Sequence, residues 1–251
     1  MTGHWLRRFH RNRGTRLLLV CLPHAGGTAT FYRGWHERLP HWVDVAAVQY
    51  PGRQERYREP CLTDVRELAA GVTAEVLDAG SRPVVLYGHS MGAVVAYETA
   101  VLLSRAGRGP AQLVVSGHSV PRLARPGTVH LGSDEELAAE LRRLGGTDAG
   151  LFAEPELWEF SRPSIRADYQ AIETYRPATP APVLSCRLTV FHGADDPDVP
   201  EDEARAWAEV TTGRFGFRAW PGDHFFLTEH EPALLGDLAI RLAAADPAAL
   251  P

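Results

Sequence analysis

The stretch VVLYGHSMGAVVAYETA, residues 84–100, narrows the possible folds more than any other part of the chain. It opens as a continuous apolar run, the pattern of a strand covered on both faces. From Met91 onward the apolar residues fall at helical spacing instead. The period changes at Gly88-His89-Ser90-Met91-Gly92, a match to G-x-S-x-G. A buried strand that becomes a helix with no intervening loop requires a parallel-type sheet covered by helices. Ser90 is then either a nucleophile raised on a sharp turn or a small polar residue in a tight bend.

The rest of the chain repeats the alternation. Strand-like runs are expected at Arg16–Leu22, Val43–Val48, Pro83–Tyr87, Gln112–Ser116, Cys186–Phe191 and Phe215–Trp220, with helical patterns at Thr63–Leu77, Met91–Leu103, Ala204–Val210 and Pro232–Ala244. Strands alternating with helices predict an α/β fold with a mostly parallel central sheet and helices on both faces. Residues 1–251 read as one domain. Residues 121–181 break the rhythm, with no convincing strand. Ser133 and Glu136 form a capping box, and Gly145-Gly146 end that helix. The PELWEFSRPSIRADYQAIETY segment reads as one or two helices interrupted at Pro163. A helical insertion over such a sheet is expected to be a lid; the plainer alternative is helices packed away from any site.

Composition limits the function. The formal net charge of −5 gives no basis for a nucleic-acid partner, and all 26 basic residues are arginine. Cys21, Cys61 and Cys186 are odd in number and scattered, which argues against a disulfide framework and a zinc site and for reduced thiols in the cytoplasm. The apolar run Leu17–Leu22 is too short for a signal sequence or a membrane span. The arginines before it read as a solvated arm. Met1 followed by a short arm is what a free-standing protein is expected to show. A soluble monomer without membrane contact, metal or cofactor is expected.

A serine hydroxyl needs a general base, and the base needs an orienting acid. On a strand-to-helix turn of this kind the chain order is serine, acid, histidine. The segment FHGADDPDV follows a strand and carries Asp195, Asp196 and Asp198; WPGDHFFL follows another and carries His224. The order 90, 196, 224 fits, with all three at carboxyl ends of strands. A polar turn and a loop histidine are the plainer readings of the last two. His89, His118 and His192 compete as bases, but His89 adjoins the serine, His118 lies in a GHS that lacks the closing glycine, and His192 precedes the acid. The backbone N–H of Met91 is a candidate oxyanion donor, and the glycine loop His24-Ala25-Gly26-Gly27 after the first strand is the place for a second.

With these residues in place, the chain resembles type II thioesterases of polyketide and nonribosomal peptide assembly lines, from about Trp5 to Leu242. The likeness rests on LPHAGGTATFYRGW, VQYPGRQERYREP, YGHSMGAVVAYETA, ELRRLGGT, RADYQAIETYRP, FHGADDPDV and WPGDHFFL. The resemblance implies an α/β-hydrolase fold with a helical lid. It assigns Ser90 as nucleophile, Asp196 as acid and His224 as base, with Ala25 and Met91 as oxyanion donors. It implies a substrate that carries phosphopantetheine, acyl or peptidyl carrier proteins as partners, and an editing role that frees stalled synthases. A chain-terminating or cyclising thioesterase and a general carboxylesterase are the alternatives on the same scaffold. Asp223 departs from the family, which often has glycine beside the histidine; a carboxylate there is expected to raise the imidazole pKa.

Overall fold

The computed structural model describes residues 5–10, 14–146 and 149–245. Its sheet has seven strands: β1 (Leu6–Arg7), β2 (Leu17–Leu22), β3 (Val43–Val48), β4 (Val84–His89), β5 (Gln112–Ser116), β6 (Arg187–Gly193) and β7 (Phe215–Trp220). The order is β1-β3-β2-β4-β5-β6-β7, with β1 antiparallel to β3 and every other pair parallel. Residues of β2 through β5 are all buried, as strands covered on both faces must be.

Strand parity sorts the core into two layers. Leu18, Val20 and Leu22 of β2 face α2 (Val65–Asp78) and α3 (Met91–Arg105), where they join Leu68, Val72 and Val94. Leu17, Leu19 and Cys21 face the other way, onto Tyr32, Trp35 and the apolar side of α9 (Glu231–Ala245), including Leu234, Leu235 and Leu238. Each of these leucines and valines contributes about 1.5–3 kcal/mol on burial. Asp64 caps α2 through the N–H groups of Arg66 and Glu67. No helix among the described residues is long and apolar enough to cross a membrane.

The insertion between β5 and β6 contains α4 (Asp134–Leu144), α5 (Ala149–Ala153) and α6 (Pro155–Thr174), with no named strand among its described residues. The capping box forms as expected at Ser133 and Glu136. Leu137, Leu141, Ile165 and Tyr169 form a third apolar cluster against Ala25. The expected interruption at Pro163 does not occur, and α6 runs through it as one helix of 20 residues. The buried face Ser164, Ile165, Ala167, Asp168, Tyr169 and Ala171 continues at helical spacing, and its packing outweighs one lost N–H donor.

The arm expected to be solvated is packed in part, although Arg16 is exposed. Leu6 is buried in β1, and the carbonyl of Trp5 accepts from Gln49 N–H at 2.8 Å. Arg7 pairs with Glu55, Arg8 Nε bonds Asp44 at 3.0 Å, and Arg16 lies over the Trp42 ring. The indole of Trp5 stacks under the Arg56 guanidinium and sits against Gly71. These partners come from β3 and the residues flanking it, from α2 and from the 51–59 segment, so local charge density carries no sign of them. Arg11 and Arg13 lie outside the described residues.

The fold brings three backbones together at the head of α3. A Cβ on Gly88 would lie 2.1 Å from the Gly92 carbonyl oxygen, and one on Gly92 would lie 2.1 Å from the Leu22 carbonyl oxygen. Gly92→Ala should therefore cost more than about 3 kcal/mol or prevent folding. Gly236→Ala, on α9 with nothing within 4 Å of a built Cβ, should stabilise by about 0.5–1 kcal/mol. Denaturant unfolding of the two variants checks the contrast, and similar stabilities would refute the contact.

Candidate active site

Ser90 follows β4 and is the N-cap of α3, with φ 54° and ψ −124°. Apart from Ser90, only Gln54 (φ 45°) has positive φ among the described non-glycine residues. Such a conformation costs on the order of 1–3 kcal/mol and persists only when neighbours enforce it. Here Ser90 N–H donates to the Ser116 carbonyl at 2.8 Å, and the Ser90 carbonyl accepts from Ala93 N–H at 2.9 Å. The two contact-limited glycines let β2, β4 and α3 crowd beneath the turn.

The acid and the imidazole reach the same edge from β6 and β7. Asp196 follows β6, and its Oδ2 lies 2.8 Å from His224 Nδ1. His224 follows β7, and its Nε2 lies 3.0 Å from Ser90 Oγ. Since the carboxylate accepts at Nδ1, that nitrogen carries the proton and Nε2 is free to accept from the hydroxyl. Asp196 and His224 are both buried. Asp196 Oδ1 accepts from Asp198 N–H, which fixes the carboxylate plane.

The other candidates take different places. Asp195 accepts from Gly222 N–H, and Asp198 pairs with Arg143. Asp223 is exposed, and its Oδ1 accepts from Phe225 N–H at 2.9 Å. His89 Nδ1 meets Ser116 Oγ at 2.9 Å, and His118 Nδ1 donates to the Ser119 carbonyl. His192 is buried, and no hydrogen bond joins any of these three rings to Ser90. Ala25 and Met91 line a void of about 60 Å³ with Ser90 and His224. Among the described residues, neither backbone N–H donates to a protein acceptor.

Two larger cavities flank this void. One of about 460 Å³ includes Ser90, His224, His118, Arg125 and Arg143. The other, of about 630 Å³, shares His24 and Leu141 with the void and is walled by Phe31, Leu157, Phe160 and Ile165. Leu141 and Leu144 of α4 and Tyr169 and Ile172 of α6 roof the void.

Two buried charged residues beside the 24–27 loop were not singled out as candidates from the sequence. Arg53 and Asp168 form a bidentate pair at 2.6 and 2.7 Å, 5% and 0% exposed at the side chain. Both lie in motifs quoted above, PGRQER and RADYQAIETYRP, but 115 residues apart. Only a buried environment distinguishes them from surface charges, and sequence periodicity marks it weakly at an arginine.

A strained serine turn at the carboxyl edge of a parallel sheet, with a histidine and an aspartate in file beside it, defines the serine-hydrolase class of α/β-hydrolase folds. The chain belongs to the thioesterase domain family, whose model matches residues 18–241. A protein of Streptomyces griseus named "Probable cadicidin biosynthesis thioesterase" is 43% identical over 237 residues, 94% of this chain; the chain spans only 65% of that relative's length. Thioesterase PikA5 of Streptomyces venezuelae is 41% identical over 243 residues, covering 96% of this chain and 86% of the relative. The solved structure of the type II thioesterase BorB from the borrelidin biosynthetic cluster superposes with a TM-score of 0.89 at 46% identity, over 96% of this chain and 99% of that one.

The site is also acid-sensitive by construction. Burial lowers the pKa of His24 to about 3 and that of His89 well below its ordinary value, with the His224 charge adding to both shifts. Both rings are therefore neutral in the folded protein. Their contribution is fully present above the unfolded value near pH 6.5 and is lost as pH falls toward the folded value. Each group can steepen the fall by up to about 1.4 kcal/mol per pH unit. Replacing His24 with Phe should flatten the decline between about pH 6.5 and pH 5 by about 1–2 kcal/mol. Denaturant unfolding across that window tests it, and an unchanged slope would count against a neutral buried ring.

Proposed function

We propose that the protein hydrolyses acyl thioesters from the phosphopantetheine arm of carrier proteins, as an editing enzyme that frees stalled polyketide or nonribosomal peptide synthases. The observation that carries this reading is the file Ser90–His224–Asp196, beside two backbone N–H groups without a protein acceptor. Its likeness to type II thioesterases of biosynthetic clusters supports the substrate class.

In this reading His224 Nε2 removes the Ser90 proton as Oγ attacks the thioester carbonyl. Asp196 holds the resulting imidazolium. The oxyanion enters the small void, where the N–H groups of Ala25 and Met91 stabilise it. Collapse expels the pantetheine thiolate, whose conjugate thiol has a pKa of about 8.5, so it leaves with little general-acid help. It takes the proton from His224. Water then gives a proton to His224 and attacks the acyl-serine, and breakdown returns that proton to Ser90 Oγ with release of the free acid. No metal or cofactor takes part.

The cavities suit the two halves of such a substrate. The 460 Å³ cavity, with His118, Ser119, Arg125 and Arg143 on its walls, suits the amide-rich pantetheine arm. The 630 Å³ cavity, with Phe31, Leu157, Phe160 and Ile165, suits an acyl chain. The inserted helices act as the lid over both.

Intact mass after exposure to an acyl carrier protein should show an acyl adduct on the wild type and none on Ser90→Ala. Turnover by Ser90→Ala should fall at least about 10⁴-fold. Free acid should form faster from the carrier thioester than from acyl-N-acetylcysteamine or a matching oxygen ester. Faster cleavage of the oxygen ester would reject carrier editing, and ring-closed products would identify a cyclising enzyme instead.

A further inference from the structure

The fold gives one oxyanion donor a fixed place, because Met91 begins α3 directly after the strained serine. Ala25 is held less directly, because the peptide that carries its N–H is fixed by a turn bond of the loop itself, from Gly27 N–H to the His24 carbonyl at 2.9 Å. Ala25 lies in the loop after β2, between buried His24 and Gly26 at φ 78°. That turn bond requires Gly26 to keep its positive φ, and losing the turn would free the Ala25 N–H to swing out of the void.

Contacts from two remote segments hold this loop. Asp168 Oδ2, from α6 of the insertion, accepts from Gly26 N–H at 2.8 Å. The same oxygen accepts from Arg53 at 2.6 Å, and Oδ1 accepts from Arg53 at 2.7 Å. Arg53 also donates to the Gly27 carbonyl at 3.1 Å. Gln54, itself at φ 45°, donates to Thr28 Oγ1 and Thr30 Oγ1. One buried ion pair thus holds two peptides of the turn, Ala25–Gly26 at its N–H and Gly27–Thr28 at its carbonyl, and so keeps the Gly27-to-His24 bond closed. Tyr50 lies beside the guanidinium, and among the described residues no second carboxylate bonds it.

We propose that Arg53 and Asp168 are positioning residues for catalysis, which lock the 24–27 loop so that the Ala25 N–H faces the Ser90 void. No hydrogen bond joins either residue to Ser90, and Arg53 stands in the wall of the 630 Å³ cavity. The pair acts through the loop, and it makes α6 the fixed post of the lid. The inference rests on Ala25 and Met91 being the oxyanion donors.

A purely structural ion pair and a positioning pair differ in two variants. Arg53→Met with Asp168→Leu removes both buried charges together and fills the space with apolar groups, which is commonly neutral for stability. It also leaves Gly26 N–H and the Gly27 carbonyl unheld. Asp168→Asn keeps one acceptor oxygen for Gly26 N–H but leaves the Arg53 charge uncompensated, which is strongly destabilising.

The test measures melting temperature, kcat, KM and the pH profile of kcat/KM with propionyl-N-acetylcysteamine. The double variant should melt within about 5 °C of the wild type, while kcat falls about 10²-fold at little-changed KM. Its pH profile should keep the wild-type midpoint, because Ser90, His224 and Asp196 are untouched. Asp168→Asn should melt about 10 °C lower yet lose less than about tenfold in kcat when assayed below its transition. A double variant with near-wild-type kcat would overturn the proposal, as would kcat that tracks melting temperature in both variants. Failure of both to fold would also overturn it, since the pair would then be an anchor of the fold alone. A wild type inactive on both this thioester and a propionyl carrier protein would reject the proposed function itself.

Discussion

The arrangement depends on three backbones meeting closely at the head of α3. Gly88 and Gly92 are each within a Cβ's width of a carbonyl oxygen, so β2, β4 and α3 approach more closely than side chains permit. That approach leaves Ser90 at positive φ, and the Ser116 carbonyl holds it there. The strain is local and the restraint is distributed over β2, β5 and α3. Ser90 is thereby held above the sheet edge, where Asp196 and His224 arrive from the ends of β6 and β7.

A second theme is how much ionisable material is buried around this point. Arg53 and Asp168 are buried as a mutually compensating pair, which is worth little net stability compared with apolar residues of equal size. Its value lies in directed hydrogen bonds to a loop that apolar residues cannot supply. His24 and His89 are buried without a charge partner, and desolvation keeps them neutral. Neutral rings between the glycine loop and His224 place no fixed positive charge beside that imidazole.

The six long strands were legible because their runs are continuous and bounded by helical periods. The chain order of serine, acid and histidine at strand ends was legible, whereas the choice of Asp196 and His224 among their neighbours rested on the family resemblance. Two elements were not legible. Leu6–Arg7 has too few residues for a period, and its pairing partner β3 lies about forty residues away. Pro163 reads as a break because local propensity opposes it, yet the buried face from Ser164 to Ala171 holds the helix together.

By itself, the sequence determined the alternation of strand and helix, the sharp turn at Ser90 and the order of the three side chains. These follow from local sterics and from apolar periodicity, which are properties of neighbouring residues. Only the tertiary structure decided which of Asp195, Asp196 and Asp198 meets His224, which histidine meets Ser90, and that Arg53 finds Asp168. Those outcomes depend on distances between residues far apart in the chain, which are fixed when strands take their order in the sheet and α6 packs against the 24–27 loop.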